Sequence, residues 1–463
     1  MGCLLLLFNW ITNLAAAQDF TRFISDTAES QTAYHILREP GGNLWLGGEK
    51  LGLNNNNLSV WLYRLNPEGE VLKRFRFPFG GFQTWVGMDW VAEGQLGVVM
   101  GQKGTNGITE NWLAIVDSNQ IISRIKINGA DDAILDDVNA DGLGNLLACG
   151  YKSSPGIAGN DFWVGKIGSN GVPKWIYNEG LTPNDHIRMA KTGPDGFIYV
   201  SGDVQNSSYN PYVAKLDTNG NLVWETVLLS DWNDGAQKFD FDETGRLWLM
   251  GESSTSAGPL FDNALSIVSA DGNLEWQQWI GSSGQDAAFV IHKKQAGSGF
   301  WVGGYSNAGT GSMGPISPYL MELDGAGNSL GEAFWPFSNP SPVYDMEVIG
   351  DSVFYFCGVS NTSAYFMRRI RPALSPIFVV KNNGALHQNA EPLVHDPFSG
   401  TITLSADLQW TDFQVFNQLG QLRILANPSG EKEISLAGFS SGVYFVKATT
   451  ANGKQVAKKI WVP

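Results

Sequence analysis

Residues 215–225 read KLDTNGNLVWE, and this stretch decides the fold because it recurs along the chain. Related stretches are YRLNPEGEVL (63–72), IVDSNQIISR (115–124), KIGSNGVPKW (166–175), IVSADGNLEW (267–276) and ELDGAGNSLG (322–331). They start about fifty residues apart, which is the spacing of one supersecondary unit in a repeat protein. The turn chemistry recurs but the carboxylate does not. The stretch therefore predicts a hairpin turn at Asp217 rather than a calcium loop.

A second motif runs in the same register and consists of a short apolar run that ends in glycine, as in DGFIYVSG (195–202). Its final glycines are Gly48, Gly101, Gly150, Gly202, Gly251, Gly304 and Gly358, separated by 53, 49, 52, 49, 53 and 54 residues. Unit four contains four short strand-like runs, HIRMAKT, FIYVSG, PYVAKLD and LVWETVLL, and no helical period. Four strands per unit and seven units predict an all-β fold, a seven-bladed β-propeller.

The two ends of the repeat region predict how the ring closes. Unit seven supplies MEVI, VFYFCG and AYFMRRI, but no fourth strand before RPALSP. The run FTRFIS (20–25) precedes unit one and has no partner there. We predict that residues 20–25 complete blade seven, because an open ring would leave sheet edges unpaired. The predicted propeller spans residues 18–376.

Targeting and charge restrict the location and the partners. Residues 1–17 contain an apolar run followed by three alanines, which predicts a signal peptide cleaved before Gln18. No later segment has the apolar length of a transmembrane span. The net charge of −15 argues against a nucleic-acid partner and against docking on an anionic membrane.

Residues 377–463 leave the repeat register and read as short strands, enough for a small Ig-like β-sandwich. The motifs HDPFSGTITL (395–404), FQVFNQLGQLR (413–423), ISLAGFSSGVYFVKATTANGK (434–454) and AKKIWV (457–462) resemble the type A C-terminal sorting domain of the type IX secretion system of Bacteroidota. The resemblance implies recognition by the outer-membrane translocon and a protein that is secreted or held at the cell surface. The residues that it marks as a sorting signal are Gly442, Tyr444, Lys458 and Lys459. The alternative is an accessory β-sandwich without a sorting role.

No enzyme motif stands out. The five histidines include no pair at zinc-ligand spacing, and GYSNA around Ser306 lacks the closing glycine of a nucleophile elbow. Four aspartates lie 17 or 18 residues before the second-strand glycine, where the chain begins the innermost strand: Asp132, Asp185, Asp234 and Asp286. They predict an acidic arc at the channel mouth that binds a cation or a hydroxyl-rich ligand. The alternative is that each carboxylate accepts hydrogen bonds within its own loop.

One further stretch has the spacing of a metal loop. In DDVNADGLGN (136–145), Asp137, Asn139, Asp141 and Asn145 occupy positions 1, 3, 5 and 9, with Gly142 at position 6. This pattern resembles the short calcium loops of integrin-type propellers. The turn register offers a simpler explanation for Asp141, and no other cofactor is predicted.

Tryptophans divide into two groups. Trp175, Trp224 and Trp276 recur on fourth strands and are predicted to pack between blades, whereas Trp85, Trp90 and Trp232 lie outside the packing register. Flat aromatic rings beside carboxylates are typical of a carbohydrate site, although they can equally be core. Together these features favour a non-enzymatic module that binds an extracellular glycan or protein. The alternatives are a polysaccharide hydrolase or lyase that uses the four aspartates, and a structural surface protein.

Overall fold

The computed structural model describes most of the chain between residues 19 and 462. The described ranges are 19–24, 30–52, 58–77, 82–104, 107–153, 159–181, 184–205, 209–228, 233–254, 261–280, 286–307, 316–370, 372, 374, 393–396, 401–404, 410–417, 422–426, 433–436, 438–440, 442–450 and 455–462. The predicted signal peptide and the predicted boundary between 376 and 377 lie outside them and remain predictions. None of the described residues forms a helix of the length and apolar character that a membrane span requires.

The first strand, β1, is Phe20–Ile24, and six sheets of four consecutive strands follow it. Blade one contains β2 (Ser30–Arg38), β3 (Leu44–Leu51), β4 (Leu58–Leu65) and β5 (Val71–Arg76). Blade two contains β6 (Phe82–Ala92), β7 (Gln95–Lys103), β8 (Thr109–Val116) and β9 (Ile121–Lys126). Blade three contains β10 (Ala133–Ala140), β11 (Asn145–Ser153), β12 (Asn160–Gly168) and β13 (Pro173–Tyr177).

Blade four contains β14 (Asp185–Thr192), β15 (Ile198–Gln205), β16 (Tyr209–Leu216) and β17 (Leu222–Val227). Blade five contains β18 (Asn233–Phe241), β19 (Leu247–Ser254), β20 (Phe261–Val268) and β21 (Leu274–Ile280). Blade six contains β22 (Asp286–Lys293), β23 (Phe300–Ser306), β24 (Ser317–Leu323) and β25 (Ser329–Phe334). Every strand pair within these sheets is antiparallel, as the recurring hairpin turns predict.

Blade seven closes the ring. It contains β26 (Val343–Ile349), β27 (Val353–Ser360) and β28 (Ser363–Ile370), and β1 is its fourth, outermost strand. Strand β1 pairs antiparallel with β28 from Phe20↔Arg368 to Ile24↔Ala364. This is the pairing expected from the sequence. Since β2 packs against β26, β27 and β28, blade one lies directly beside blade seven.

The hydrophobic core is divided among the blade interfaces. In the described part of the propeller there are seven clusters of buried side chains, and each joins two neighbouring blades. The fourth-strand tryptophans contribute as predicted. The indole N–H of Trp224 donates to the Ala270 carbonyl of the next blade at 3.0 Å, and a β-carbon at Gly272 would lie 2.7 Å from its ring. Glycine is therefore required where the ring covers the hairpin.

The recurring second-strand glycine has a steric cause. In six of the seven blades the innermost strand contains a β-bulge directly after the residue paired with this glycine, for example between Ile187 and Met189 in blade four. In blade two the bulge lies one pair further along, between Trp85 and Gly87. The bulge pushes the first-strand carbonyl towards the second strand, so a β-carbon at Gly202 would lie 1.9 Å from the His186 oxygen. The equivalent distance from Gly304 to the Ala287 oxygen is also 1.9 Å. The glycine that revealed the repeat is thus the one that accommodates the bulge.

The C-terminal segment contains two sheets. One contains β29 (Leu393–Asp396), β30 (Thr401–Leu404) and β33 (Glu433–Ser435), and the other contains β31 (Trp410–Asn417), β32 (Leu422–Ala426), β34 (Gly442–Thr450) and β35 (Gln455–Val462). Ile402 and Ile434 of the first sheet share one buried cluster with Phe413, Val415 and Val446 of the second. The two sheets therefore pack face to face as a β-sandwich, which confirms the predicted fold class.

Candidate functional site

The bulges of the innermost strands direct one residue of each blade towards the axis of the ring. These residues are Tyr34, Val86, Asp136, Arg188, Gln237, Phe289 and Tyr344. All except Arg188 line one cavity of about 310 Å³, together with His35, Glu49, Trp85, Leu135 and Lys238. Side chains from blades one, two, three, five, six and seven meet only at the axis. We call this cavity the channel mouth.

One side of the channel mouth is aromatic. The ring centroids of Tyr305 and Phe289 are 5.7 Å apart, those of Phe289 and Tyr344 are 5.7 Å apart, and those of Tyr344 and Tyr34 are 5.1 Å apart. These four residues come from blades six, seven and one, and all four are half-buried. They form a continuous wall of tilted rings; Tyr34, Phe289 and Tyr344 line the channel mouth, and Tyr305 extends the wall beyond the lining residues. We call them the aromatic wall.

Glu49 lies beside the aromatic wall. Its Oε1 atom accepts the backbone N–H of Trp85 at 2.6 Å. Burial raises the pKa of Glu49 to about 7, even though that hydrogen bond lowers it. Burial raises the pKa of Tyr34 as well, and the nearby Glu49 carboxylate raises it further. The carboxyl group and the phenol are therefore close neighbours in a poorly hydrated place.

A charged cluster lies around Asp136, one of the residues that line the channel mouth. His186 forms a short contact with the Asp136 carboxylate, and its ring lies edge-on to Tyr151 at 4.6 Å between centroids. Arg188 donates to Asp203 at 2.9 Å. The pKa of Glu252 is raised, mainly by burial; the charge of Arg188 lowers this pKa and the charge of Asp203 raises it. The mouth thus combines a stacking surface with hydrogen-bonding groups, as ligand sites usually do.

A buried ion pair crosses the channel below the mouth. Lys238 Nζ in blade five lies 2.8 Å from Asp137 Oδ2 in blade three. The Asn139 amide donates to the same oxygen at 2.9 Å. The Trp85 indole N–H donates to His35 Nδ1 at 2.6 Å, so a proton of the neutral ring is on Nε2, 3.6 Å from Asp137 Oδ1. Burial raises the pKa of Asp137, but Lys238 and His35 outweigh it and the net shift is downwards.

Other carboxylates inside the channel accept hydrogen bonds from backbone N–H groups at the free edges of the innermost strands. They accept backbone N–H groups of a neighbouring blade, in the pairs Ile36–Asp345 (2.9 Å), Arg38–Glu347 (3.0 Å), Ala140–Asp89 (2.6 Å) and Lys293–Asp240 (2.9 Å). An unpaired backbone donor at a buried sheet edge would be costly. The acidic residues of the channel interior therefore hold the blades together.

The four aspartates predicted as an acidic arc are not equivalent. Asp185, Asp234 and Asp286 pair with the residue two positions after the second-strand glycine, whereas Asp132 precedes its strand. Asp132 is exposed, has a φ of 60° and accepts the Thr109 N–H at 3.2 Å. Asp185 and Asp286 are buried, and Asp185 accepts the Leu181 N–H at 2.5 Å. None of the four lines the cavity at the channel mouth.

The hydrogen bond of Asp185 to Leu181 matches the alternative, in which each carboxylate accepts within its own loop, whereas Asp132 accepts from Thr109 at the start of a strand in blade two. The side chain of Asp234 lies outside the described residues. A ligand-binding role for the four aspartates therefore stays a prediction.

The three tryptophans predicted as ligand-binding residues do not lie together. Trp85 is 7% exposed and forms part of the lining of the mouth. Trp90 lies five residues further along β6, a rise of about 17 Å in a strand, and is half-buried against the core of blades one and two. Trp232 lies outside the described residues. The structure therefore brings Trp85 to the mouth and leaves Trp90 at the other end of the strand.

The predicted calcium ligands have other partners. Asp137 is paired with Lys238, whereas Asp141 Oδ2 lies 2.8 Å from Lys166 Nζ. Asp141 also accepts the Leu143 and Asn145 N–H groups at 2.7 and 2.9 Å, as a turn residue does. Asn139 bonds to Asp137 and Asn145 bonds to Asp141, so the four residues form two separate clusters. Among the described residues no group of three or more His, Cys, Asp or Glu side chains is placed to hold a metal ion.

Sequence analysis missed the aromatic wall and Glu49. The available signal was the residue directly after the second-strand glycine: Glu49 lines the channel mouth, Asp203 accepts from the bulged residue Arg188, and Tyr305 contacts the bulged residue Phe289. The signal for the bulged residues was the recurring glycine itself, but its link to a bulge became apparent only from the strand register.

Of the residues predicted as a sorting signal, Tyr444 is the one whose side chain the structure describes. It is buried in the sandwich core, and its hydroxyl donates to the Ser440 carbonyl at 3.0 Å. Gly442 pairs with Val462, Lys458 with Val446 and Lys459 with Phe445, and the two lysine side chains lie outside the described residues. The structure gives Tyr444 a packing role, and the sorting role of the four residues stays a prediction.

Comparison with known families identifies the C-terminal segment. Residues 396–463 match the family described as the secretion system C-terminal sorting domain. The chain is therefore a β-propeller protein with a type IX sorting domain, and that domain indicates export to the cell surface or secretion. No curated protein matches the chain.

Three solved structures show a distant likeness. Sqt1 from Chaetomium thermophilum is 11% identical with a TM-score of 0.45, covering 73% of this chain and 83% of its own. The β-propeller domain of the Trilobed protease from Pyrococcus furiosus is 13% identical with a TM-score of 0.43, covering 75% and 98%. The extracellular domain of a putative hybrid two-component system from B. thetaiotaomicron is 13% identical with a TM-score of 0.46, covering 96% and 59%. None of these likenesses says anything about function.

Proposed function

We propose that the protein is an exported recognition module that binds a glycan at the channel mouth without turning it over. The observation that carries the proposal is the aromatic wall of Tyr34, Phe289, Tyr344 and Tyr305, whose rings are in mutual contact and half-buried. The apolar faces of sugar rings stack on such surfaces, and tyrosine adds a polar end for hydroxyl groups. Asp136, Gln237 and Glu49 supply further polar groups around the same cavity.

Export fits this role. The sorting domain places the propeller outside the cell or on its surface, where glycans are available. A signal peptide in residues 1–17, cleavage before Gln18 and a source in the Bacteroidota belong to the same proposal.

A glycan array with the purified full chain tests the proposal, with the same wells assayed for new reducing ends. We expect saturable binding to at least one glycan and no release of product. Tyr344→Ala removes one of the two central rings of the wall and should weaken binding about tenfold or more, the usual effect of truncating a tyrosine hot spot. Tyr209→Ala, at a tyrosine that is 40% exposed and does not line the mouth, is the matched control.

The other outcomes overturn the proposal in different ways. Release of reducing ends would establish a hydrolase. Binding of proteins but no glycan would establish a protein receptor. Binding that Tyr344→Ala leaves intact would move the site away from the aromatic wall.

A further inference from the structure

In the part of the chain that the structure describes, Glu49 has no basic partner, in contrast to several carboxylates of the channel. Asp89, Asp345 and Glu347 likewise accept backbone N–H groups, but Glu49 lines the channel mouth and these three do not. Asp137, Asp203 and Asp240 each have a lysine or arginine nitrogen within 2.9 Å. Among the described residues no lysine or arginine forms an ion pair with Glu49, whose hydrogen bond comes from the neutral Trp85 backbone. A half-buried carboxylate without a counterion is unusual, because burial of an unpaired charge is unfavourable. Glu49 is therefore suited to receive a cation from outside the chain.

The surroundings of Glu49 also suit a cation. The rings of Tyr34 and Tyr344, 5.1 Å apart and inclined at 43° to each other, line the same cavity. Ammonium groups bind over tyrosine faces, and more strongly where water is excluded. An ammonium placed here would bond to the carboxylate and contact the two rings at once.

The charges of the cavity exclude the opposite kind of ligand. Two carboxylates, Glu49 and Asp136, line the channel mouth. The one lysine among the cavity-lining residues, Lys238, is already neutralised by Asp137 at 2.8 Å. An acidic sugar would therefore bring its negative charge towards carboxylates and find no available cation among these residues.

We infer that the glycan bound at the channel mouth is an amino sugar whose positively charged nitrogen lies between Glu49 and the rings of Tyr34 and Tyr344. This inference rests on the proposed function, because it names the chemical class of the ligand of the same site. A lysine side chain of a protein would offer similar chemistry. The row of four rings is longer than one lysine needs and favours a chain of sugars.

Glu49 also makes the binding pH-dependent. Burial raises its pKa to about 7, so at pH 6 it is mostly neutral and at pH 8 mostly ionised. A cation binds the ionised form, so affinity should rise with pH across this window. The other titratable groups that line the cavity are Tyr34, His35, Asp136, Lys238 and Tyr344.

Three oligosaccharides of equal length test the inference on the purified full chain by calorimetry. They are built from N-acetylglucosamine, from glucosamine and from N-trimethylated glucosamine, whose positive charge does not titrate. At pH 8 we expect the trimethylated probe to bind about tenfold or more tightly than the acetylated one, as a desolvated charge contact implies. Between pH 8 and pH 6 its affinity should fall about tenfold as Glu49 takes up a proton.

Variants locate the effect. Glu49→Gln should bring the affinity for the trimethylated probe down to that for the acetylated probe and remove the pH dependence. Glu93→Gln, the same change of charge in an exposed turn, should leave both unchanged. If Glu49→Gln does not fold, the pH dependence of binding to the unaltered protein still tests the amino-sugar assignment.

Failure of the inference differs from failure of the proposed function. Equal binding of charged and acetylated probes, or a flat pH profile, would overturn the amino-sugar assignment and leave glycan binding intact. No binding of any glycan would overturn both. Binding of a lysine-rich peptide but of no oligosaccharide would replace the glycan by a protein partner.

Discussion

Replacement of Lys238 by methionine removes the cation that neutralises Asp137 at the centre of the ring. The Lys238 side chain is 26% exposed towards the channel, whereas the Asp137 side chain is 4% exposed. Methionine retains the length and apolar stem of lysine, so the packing between blades three and five changes little. The substitution therefore leaves a buried carboxylate with Asn139 and His35 as its remaining partners.

The expected loss in the free energy of unfolding is about 3 kcal/mol at pH 8. Breaking a buried ion pair from one side costs about 3–5 kcal/mol, because the remaining charge is uncompensated. The lower end applies here, since the Asn139 amide still donates to Asp137 and water reaches the channel side of residue 238.

The loss should shrink as the pH falls. In the unaltered protein the folded-state pKa of Asp137 is lowered, mainly because Lys238 outweighs the effect of burial. Ionised Asp137 therefore stabilises the folded protein at any pH above the pKa that Asp137 has in the unfolded chain. Without Lys238, burial dominates and the folded-state pKa of Asp137 rises above the unfolded value. Protonation of Asp137 on acidification then relieves the variant. In the unaltered protein the contribution of Asp137 is lost only at lower pH, as the pH falls from the unfolded-state pKa through the lowered folded-state pKa.

Urea unfolding followed by tryptophan fluorescence at pH 8 and pH 5 measures the difference. Lys126→Met is the control, because Lys126 also pairs with two carboxylates, Glu110 and Asp131, but at the surface. We expect the control to leave stability nearly unchanged at both pH values. A loss below about 1 kcal/mol for Lys238→Met, or the same loss at both pH values, would refute the assignment of a buried pair.

Three further substitutions or truncations test the fold and the export. Gly272→Ala should destabilise the propeller by about 1–3 kcal/mol in thermal unfolding, because its β-carbon would lie 2.7 Å from a tryptophan ring of the preceding blade. The control is Gly245→Ala, since Gly245 has a similar positive φ but open space around it. This control should show only the smaller backbone effect. Phe20→Ala should lower the free energy of unfolding in urea by about 1–2 kcal/mol, because the ring of the closing strand packs on blade seven at 5.4 Å from Phe366. Phe23→Ala, at a ring that is 55% exposed, should lower it much less. Deletion of residues 396–463 should retain the propeller inside the cell, which fractionation and immunoblotting of the host would show; efficient export of the truncated chain would contradict the sorting role.

Sequence reasoning succeeded where the information is local. The hairpin at Asp217 could be predicted because Asp217 accepts the Asn219 and Asn221 N–H groups at 2.8 and 2.9 Å, within one turn. Closure by residues 20–25 could be predicted from a missing strand at one end and an unpaired strand at the other. The second-strand glycine marked the blades because the same steric conflict with a first-strand carbonyl recurs at Gly48, Gly150, Gly202, Gly304 and Gly358.

The candidate site was harder to predict because its members are far apart in the chain. Asp132 and Asp185 appeared equivalent when counted back from the glycine, yet they differ by one position in the strand register. A one-residue difference changes the side of a strand that a side chain occupies. The same limit applied to Asp137 and Asp141, which have metal-ligand spacing but lie against Lys238 and Lys166 from other strands.

The sequence by itself determined the number of blades, the strand that closes the ring and the C-terminal sorting domain. Turn chemistry, strand alternation and contiguous motifs depend on residues that are close together in the chain. Only the tertiary structure decided what meets at the axis. Tyr34, Phe289 and Tyr344 form one wall, and Glu49 stands beside them without a counterion, because ring closure brings blades one, six and seven together. The bulges then turn one side chain of each innermost strand inwards. The recurring glycine marks most of the bulges, but which side chains then meet depends on contacts between blades that are far apart in the chain.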